Sequence, residues 1–265
     1  MKRVLLAASI AALAMTATAG AGPLAAPTKS PGKLIIGFDL PAPAFWNGRA
    51  TGSTIKHPTG FEAALSQAIA KKLGISKVQY LRAPFGGLFS PSPKKYDVAF
   101  EEVTITTERA KVVSFTAPYF DANQGVLIRK GLKKPTSLAA LKSLQLCAQS
   151  STTGLAYIQH KLRPKKKPLV YSASSTAAFD AVQAGKCDAL ILDVPIVAAQ
   201  SRKKPGAYGG IAGQIVTKEH YGGVMEKGSK LKPFLDSAIK ALTADGTIKT
   251  LVKKWLLNPI PPVLK

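Results

Sequence analysis

Thr104-Ile105-Thr106-Thr107-Glu108-Arg109 is the stretch from which the fold and the site of this chain are inferred. It follows the apolar segment 97–100, which is typical of a buried strand. An arginine just beyond such a strand can grip a small carboxylate through two parallel hydrogen bonds, which fix the ligand's orientation as well as its charge. The alternative is a solvent-exposed arginine beside Glu108 at the start of a helix.

Strands and helices alternate on both sides of this stretch. Lys33–Phe38 and residues 78–81 predict strands, and a capping box at 59–62 starts a helix between them. The same alternation continues further along the chain. Strands are predicted at 126–128, 144–148, 169–171 and 188–192, and helices are predicted to start near Ser137, Ser150 and Ser174. This alternation predicts an α/β fold with mostly parallel sheets flanked by helices.

Several polar residues lie where the predicted strands end. In open α/β sheets, ligands bind beyond the carboxyl ends of the strands. The candidate ligand contacts at such positions are Asp39, Glu102, Thr104, Ser151, Thr152, Thr153 and Asp193. The helix start at 151–153 adds free backbone N–H groups, which suit an anion, although hydroxyl residues also cap helices that bind nothing.

The amino terminus predicts secretion. Residues 2 and 3 are basic, residues 4–15 are apolar and residues 16–22 are small, as in a cleaved signal peptide, which we place at 1–21. Residues 22–32 then form a flexible leader. The cleavage region has no cysteine for a lipid anchor, and no later apolar run reaches the roughly 18 residues of a membrane span. We therefore expect a soluble protein of the periplasm or cell envelope.

The chain is strongly basic, with 37 Lys and Arg against 14 Asp and Glu and a net charge of +23. Such a charge favours anionic surfaces, and secretion argues against nucleic acid as the partner. The densest run of lysines, residues 161–167, contains no aromatic residue that could stack on bases. A solvated loop and a polyanion site both remain open for this run.

Cys147 and Cys187 each lie in an apolar, strand-like segment. In an oxidising compartment the pair predicts a disulfide, which contributes about 4 kcal/mol for a loop of this length, and two buried thiols are the alternative. The three histidines, His57, His160 and His220, are solitary, so no metal or cofactor is expected. The sequence also has no Ser-His-Asp order, which favours binding without catalysis.

Taken together, these stretches resemble the bacterial extracellular solute-binding proteins of family 3, which serve the uptake of polar amino acids through ABC transporters. The resemblance extends from Leu34 to Trp255, and the stretch around Arg109 is its most specific part. The other matching pieces are residues 37–39, 59–62, 96–98, 115–119, 149–153, 185–193, 221–223, 245–247 and 254–255.

The resemblance implies two α/β lobes of the periplasmic-binding-protein type, joined by two crossing strands near 125–131 and 217–223. The first lobe would comprise residues 33–127 and 222–265, and the second would comprise residues 128–221. A monomer of this kind holds an amino acid between its lobes and docks onto an ABC transporter permease in the membrane.

The resemblance also assigns roles to the candidate residues. Arg109 would hold the α-carboxylate of the ligand with Thr104, Thr152 and Thr153, and Asp193 would hold the α-ammonium. Asp193 could instead cap a helix.

The ligand's side chain would meet a separate part of the site. The resemblance assigns Asp39 to it and Phe45, Trp46 and Phe85 to the pocket walls, although each aromatic residue could equally be core.

Three positions depart from the family's pattern. Glu102 replaces a small or hydroxyl residue, Ser151 replaces a glycine, and Ala42 replaces an aromatic residue. Glu102 could match a cationic ligand side chain, repel the ligand's carboxylate, or pair with a lysine at the rim. These readings favour a basic or polar amino acid as the ligand.

Two other functions remain open on the same fold. Cyclohexadienyl dehydratases resemble this family, and a desolvated Glu102 could serve as the acid of such an enzyme. A ligand sensor that docks onto a membrane receptor is the other alternative.

Overall fold

The computed structural model of this chain describes residues 25–172, 175–256 and 260–265. The signal peptide predicted at 1–21 and the helix cap predicted at Ser174 lie outside the described residues. None of the helices in the described part is long and apolar enough to cross a bilayer.

Twelve strands and eight α-helices make up the described chain. The strands are β1 (Lys33–Phe38), β2 (Ala50–Thr51), β3 (Thr54–Ile55), β4 (Lys77–Arg82), β5 (Val98–Ala99), β6 (Val113–Phe115), β7 (Phe120–Arg129), β8 (Leu146–Gln149), β9 (Leu169–Tyr171), β10 (Ala189–Asp193), β11 (Tyr208–Tyr221) and β12 (Val224–Glu226). The helices are α1 (Phe61–Lys72), α2 (Thr107–Val112), α3 (Leu138–Leu141), α4 (Thr153–Tyr157), α5 (Ser175–Gln183), α6 (Val194–Lys203), α7 (Lys232–Ala244) and α8 (Thr247–Trp255). From β7 to β11 the strands and α-helices alternate as the sequence predicts, whereas in the first half of the chain several strands follow one another directly and α8 follows α7.

The first sheet has seven strands in the order β2-β3-β4-β1-β5-β12-β6. Its apolar strand β1 lies parallel to β4 and β5, so that Ile36 is opposite both Tyr80 and Val98. The remaining strand pairs are antiparallel. The predicted α/β class is confirmed, but parallel pairing in this first sheet is confined to β4, β1 and β5.

The second sheet has five strands in the order β11-β7-β10-β8-β9. Strands β10, β8 and β9 are parallel, whereas β7 and β11 pair antiparallel beside them. Because parallel strands end at the same edge of a sheet, β8 and β10 finish side by side, as β1 and β5 do in the first sheet.

Strands β7 and β11 connect the two cores. They pair along their whole length, from Phe120 opposite Tyr221 to Arg129 opposite Tyr208. Phe120 stacks on Tyr221 at the first core, whereas Ile128 lies fully buried in the second. The two strands predicted to cross between the sheets therefore form one continuous antiparallel ribbon.

The carboxyl terminus packs on the second sheet. Gln214 of β11 exchanges backbone hydrogen bonds with residues 262 and 264, and Leu264 is buried in the second core. The resemblance to the family implies that residues 222–265 belong to the first lobe as a single segment. Residues 260–265 instead contact the second sheet, because the apolar side chain of Leu264 is buried there against β11.

The two cysteines do not form the predicted disulfide. Cys147 in β8 and Cys187 just before β10 are both fully buried and both free. They are neighbours, since a hydrogen bond from the Cys147 thiol to Cys187 is the main influence that raises the pKa of Cys147, with burial second. The disulfide prediction is therefore wrong here, and the alternative of two buried thiols is the observed one.

Helix α1 does not start at the predicted capping box. Its N-cap residue is Gly60, with no side-chain cap. The backbone N–H groups of Phe61 and Glu62 instead donate to the carbonyls of Ala44 and Phe45, at 2.8 and 3.2 Å. This approach is close: a Cβ on Gly60, whose φ is 118°, would lie 2.3 Å from the Phe45 oxygen. Only glycine fits there, and Glu62 is left free to point into the core.

Gly60→Ala should destabilise the protein by about 2 kcal/mol or more, because alanine adds a steric clash to an unfavourable φ. The matched control is Gly74→Ala at the other end of α1, where φ is 69° and no atom lies within 4 Å of an added Cβ. The control should cost only the left-handed backbone penalty of roughly 1 kcal/mol. Urea unfolding of both variants checks this, and equal losses would contradict it.

Candidate functional site

The ends of four strands from both sheets meet at one cleft. Asp39 follows β1, Glu101 and Glu102 follow β5, Gln149 ends β8 and Asp193 ends β10, and all five line the cleft. Ligands of α/β proteins bind at such an edge. The cleft is therefore the candidate site.

Most of the residues predicted from the sequence line this cleft. They are Asp39, Phe85, Glu102, Thr104, Arg109, Thr152, Thr153 and Asp193. Ser151 does not line it through its side chain, but its carbonyl oxygen contacts Arg109.

Phe45 and Trp46 are core residues and not pocket walls. Phe45 is 1% exposed and packs edge-on against Phe61 and Tyr221. The indole N–H of Trp46 donates to Glu62 at 2.8 Å and to the carbonyl of Phe100 at 2.9 Å. For these two aromatic residues the core alternative is the observed one, because their rings complete the first core behind the cleft.

The guanidinium of Arg109 is held in one orientation. Its Nη1 donates to the carbonyl of Thr104 at 2.6 Å, and its Nη2 donates to the carbonyl of Ser151 at 2.8 Å. The guanidinium carbon lies 5.6 and 4.5 Å from the ring centroids of Phe85 and Phe89. Burial lowers the pKa of Arg109, and the charges of nearby acids oppose that shift. The group stays charged and keeps three further N–H donors.

Helix α2 positions this arginine. The Thr106 hydroxyl accepts from the backbone N–H of Arg109 at 3.2 Å and so caps the helix. The exposed-arginine alternative does not describe the observed contacts, because the guanidinium reaches across the cleft to Ser151 beside α4.

A cluster of buried carboxyl groups forms one wall of the cleft. Glu101 is 3% exposed and neither of its carboxyl oxygens has a hydrogen-bond partner; Oε1 of Glu102 also lacks one. Behind them, Glu62 accepts from the Glu102 backbone N–H at 2.9 Å and from the Tyr119 hydroxyl at 2.5 Å. Unpaired buried carboxyl groups are costly, so this wall is suited to a cation.

The pKa values of the two glutamates in this wall are both raised. Burial raises the pKa of Glu101 and Glu102 well above the usual value, and the charges of Asp39 and Glu62, respectively, add to it. No lysine in the described part of the chain forms an ion pair with Glu102. The rim-lysine alternative is thus not observed.

Asp193 points into the cleft. It is 4% exposed and accepts from Gln124 Nε2 and from the Tyr221 hydroxyl, both at 2.5 Å. It precedes α6 but makes no side-chain cap, so the helix-cap alternative is not observed. Burial, with the charge of Glu219, raises the pKa of Asp193 to about 7.

Sequence reasoning missed several polar residues at the cleft. Glu101 and Gln149 line it directly, while Gln124, Glu219 and Tyr221 contact its residues from β7 and β11. One signal was available: Glu219 is the one acidic residue between 194 and 225. No group of three acidic, histidine or cysteine side chains in the described residues is arranged to hold a metal.

Asp193 should make the stability of the protein fall as pH rises from 5 to 8. Its folded pKa of about 7 lies above the ordinary value, so the folded state keeps a proton that the unfolded state has already lost. Asp193→Asn should remove roughly 2 kcal/mol of this decline. Denaturant unfolding at both pH values measures it, with the exposed Asp180→Asn as control, and an unchanged decline in Asp193→Asn would refute the assignment.

Comparisons with known proteins agree with this geometry. ABC transporter arginine-binding protein 1 of Escherichia coli (strain K12) is 28% identical over 263 residues, covering 96% of this chain and 99% of that protein. The structure of an ancestral arginine-binding protein bound to arginine superposes with a TM-score of 0.73 at 31% identity, covering 85% of this chain and 99% of the other. An ancestral amino acid-binding protein described as a precursor of cyclohexadienyl dehydratase gives a TM-score of 0.72 at 28% identity, covering 85% and 96%.

The family itself follows from a match over most of the sequence. Residues 34–258 match the sequence model of one family, which takes in both sheets and every strand of the described fold. The chain belongs to the bacterial extracellular solute-binding proteins, family 3.

Proposed function

We propose that this chain captures an α-amino acid with a cationic side chain in the cleft and delivers it to the permease of an ABC transporter. The observation that carries the proposal is the excess of acidic over basic groups: one guanidinium and four carboxyl groups line the described part of the cleft. A zwitterion needs one cation and one anion, which leaves acidic groups for a second positive charge. The relatives named above as arginine-binding proteins support the same class of ligand.

The ligand's backbone would lie between Arg109 and Asp193. Arg109 keeps free N–H donors beside the hydroxyls of Thr104 and Thr153, and these groups suit the α-carboxylate. Asp193 at the opposite strand end suits the α-ammonium, since a carboxylate accepts several N–H bonds. Asp193 is already buried, so an ammonium would also compensate its desolvation.

The ligand's side chain would lie against the acidic wall. Glu101 and Glu102 carry unpaired carboxyl oxygens there, and Asp39 lies next to them. Asp39 is held by Arg82, whose Nε donates to it at 2.9 Å, so it is less available than the two glutamates. An ammonium or guanidinium on the ligand would supply the missing partners.

The two sheets would form two lobes that close on the ligand. We assign residues 33–127 and 222–256 to the first lobe and residues 128–221 to the second, with the tail 260–265 beside the second. The ligand would shift the population towards the closed form by binding both lobes at once. We further propose a cleaved signal peptide at 1–21 and a monomer in the periplasm or cell envelope.

A dehydratase is the second candidate, and Glu102 is the observation in its favour. This partly buried acid has a raised pKa and an unpaired carboxyl oxygen, as a general acid requires. We favour binding because the matched relatives are named as binding proteins and because Glu101 and Glu102 suit a cation equally well. An assay of prephenate turnover separates the two functions. Docking of the closed form onto a membrane receptor is compatible with the same cleft.

Arg109→Ala should weaken the binding of L-arginine at least tenfold, or about 1.4 kcal/mol, because the α-carboxylate loses its charge-assisted bonds. Titration calorimetry measures the affinity, and circular dichroism checks that the variant is folded. Arg49→Ala, at an exposed position outside the cleft, is the control and should bind as the wild type does. An unchanged affinity in Arg109→Ala would remove this residue from the site.

Glu102→Gln should change the preference among amino acids. The neutral amide cannot neutralise a cationic side chain, so the affinity for L-arginine should fall about tenfold relative to that for L-glutamine. The exposed Glu108→Gln is the control. Competition calorimetry with both ligands gives the ratio, and an equal effect on the two would show that Glu102 does not contact the ligand's side chain.

A further inference from the structure

Glu219 is aimed at the cleft by an irregularity in β11. Between Ile215 and Glu219 the pairing of β11 with β7 loses register, because four steps along β11 match two steps along β7. Lys218 has a φ of 53° inside this bulge. The Asn123 side chain accepts from the backbone N–H groups of Thr217 and Lys218, at 3.0 and 3.1 Å, and holds the bulge in place. Bulges re-aim side chains in this way, and backbone strain of this kind is often kept at functional positions.

The Glu219 carboxylate binds groups from both sides of the cleft. Its Oε2 accepts from the Thr104 and Thr153 hydroxyls, both at 2.6 Å, and its Oε1 accepts from Gln124 Nε2 at 3.0 Å. Thr104 lies beside the first sheet, where it bridges to Tyr221, whereas Thr153 begins α4 in the second. One carboxylate thus joins the two halves of the site.

These contacts leave no hydroxyl proton for a second carboxylate. A threonine hydroxyl has a single proton to donate. When Thr104 and Thr153 donate to Glu219, neither can donate to the α-carboxylate of a ligand. The proposed ligand site and the observed Glu219 contacts therefore use the same two protons and exclude each other.

We propose that Glu219 is an internal carboxylate latch: it holds Thr104 and Thr153 together across the cleft, and the ligand's carboxylate displaces it. This inference rests on the proposed function for the displacement step. The latch lowers the apparent affinity for an amino acid, since only the fraction of molecules with free hydroxyls can bind it fully. A ligand that has no carboxylate is not subject to this competition.

The overall dimensions of the ligand-free protein in solution test the latch. Small-angle scattering of ligand-free Glu219→Ala should give a larger radius of gyration than that of the wild type, because the link between the two sides is lost. Glu226→Ala is the matched control, since Glu226 lies seven residues further on and pairs with Lys29 outside the cleft. An unchanged radius of gyration in Glu219→Ala overturns the latch.

Ligand affinity tests the competition. By calorimetry, Glu219→Ala should bind L-arginine at least tenfold tighter than the wild type. The affinity for agmatine, which has the guanidinium and the amine of arginine without its carboxylate, should change less than threefold. Where the wild type binds L-arginine, unchanged or weaker binding by Glu219→Ala overturns the proposal, and so does an equal gain for agmatine. If agmatine binds neither protein measurably, the L-arginine result decides.

The two measurements separate this inference from the proposed function. If no variant binds L-arginine while Glu219→Ala expands the empty protein, the ligand assignment is wrong and the latch is supported. If the wild type binds L-arginine and Glu219→Ala changes neither the affinity nor the radius of gyration, the latch is wrong and the ligand assignment is kept.

Discussion

The fixed guanidinium of Arg109 is the constraint on which the cleft depends. It is the one cation among the described lining residues, and it faces four carboxyl groups. Desolvating such a group costs several kcal/mol unless its donors are used. The carbonyls of Thr104 and Ser151 and the ring of Phe89 supply that compensation without neutralising the charge. The site therefore holds a preorganised cation that a ligand anion can reach, inside a chain whose overall charge of +23 gives no indication of an acidic cleft.

The position of the cleft could be predicted from the sequence, because it follows from strand ends. Apolar runs such as Lys33–Phe38 are readable as strands, and parallel strands bring the residues after them, such as Asp193, to one edge. What could not be read was the environment behind each side chain. Phe45 fits a pocket wall and a core equally well by composition, and only tertiary packing distinguishes the two. Glu219 was missed because its direction depends on a bulge, and the register of two paired strands is not encoded in either strand alone.

The buried acids of the wall are better explained by function than by stability. Glu62 is fully satisfied by Trp46, Tyr119 and the Glu102 backbone, so it carries no capacity for a ligand. Glu101, in contrast, buries two carboxyl oxygens with no partner. An apolar residue there would fold more favourably, since burying an uncompensated polar group costs about 1–3 kcal/mol. Such groups are expected where a partner arrives later. Burial, with the charges of Asp39 and Glu62 added to it, raises the pKa of Glu101.

The strands that connect the sheets also hold the ligand groups. Gln124 on β7 and Tyr221 on β11 both donate to Asp193, and Gln124 lies between Asp193 and Glu219. A change in the bend of this ribbon would move the Tyr221 hydroxyl, which lies at the first core, relative to Asp193, whereas Gln124 is paired with Asp193 within the second sheet. An ammonium on Asp193 would in turn draw on the same carboxylate that the ribbon's donors use. In the proposed function, ligand binding and the angle between the sheets would therefore be coupled through the hydrogen bond from Tyr221 to Asp193.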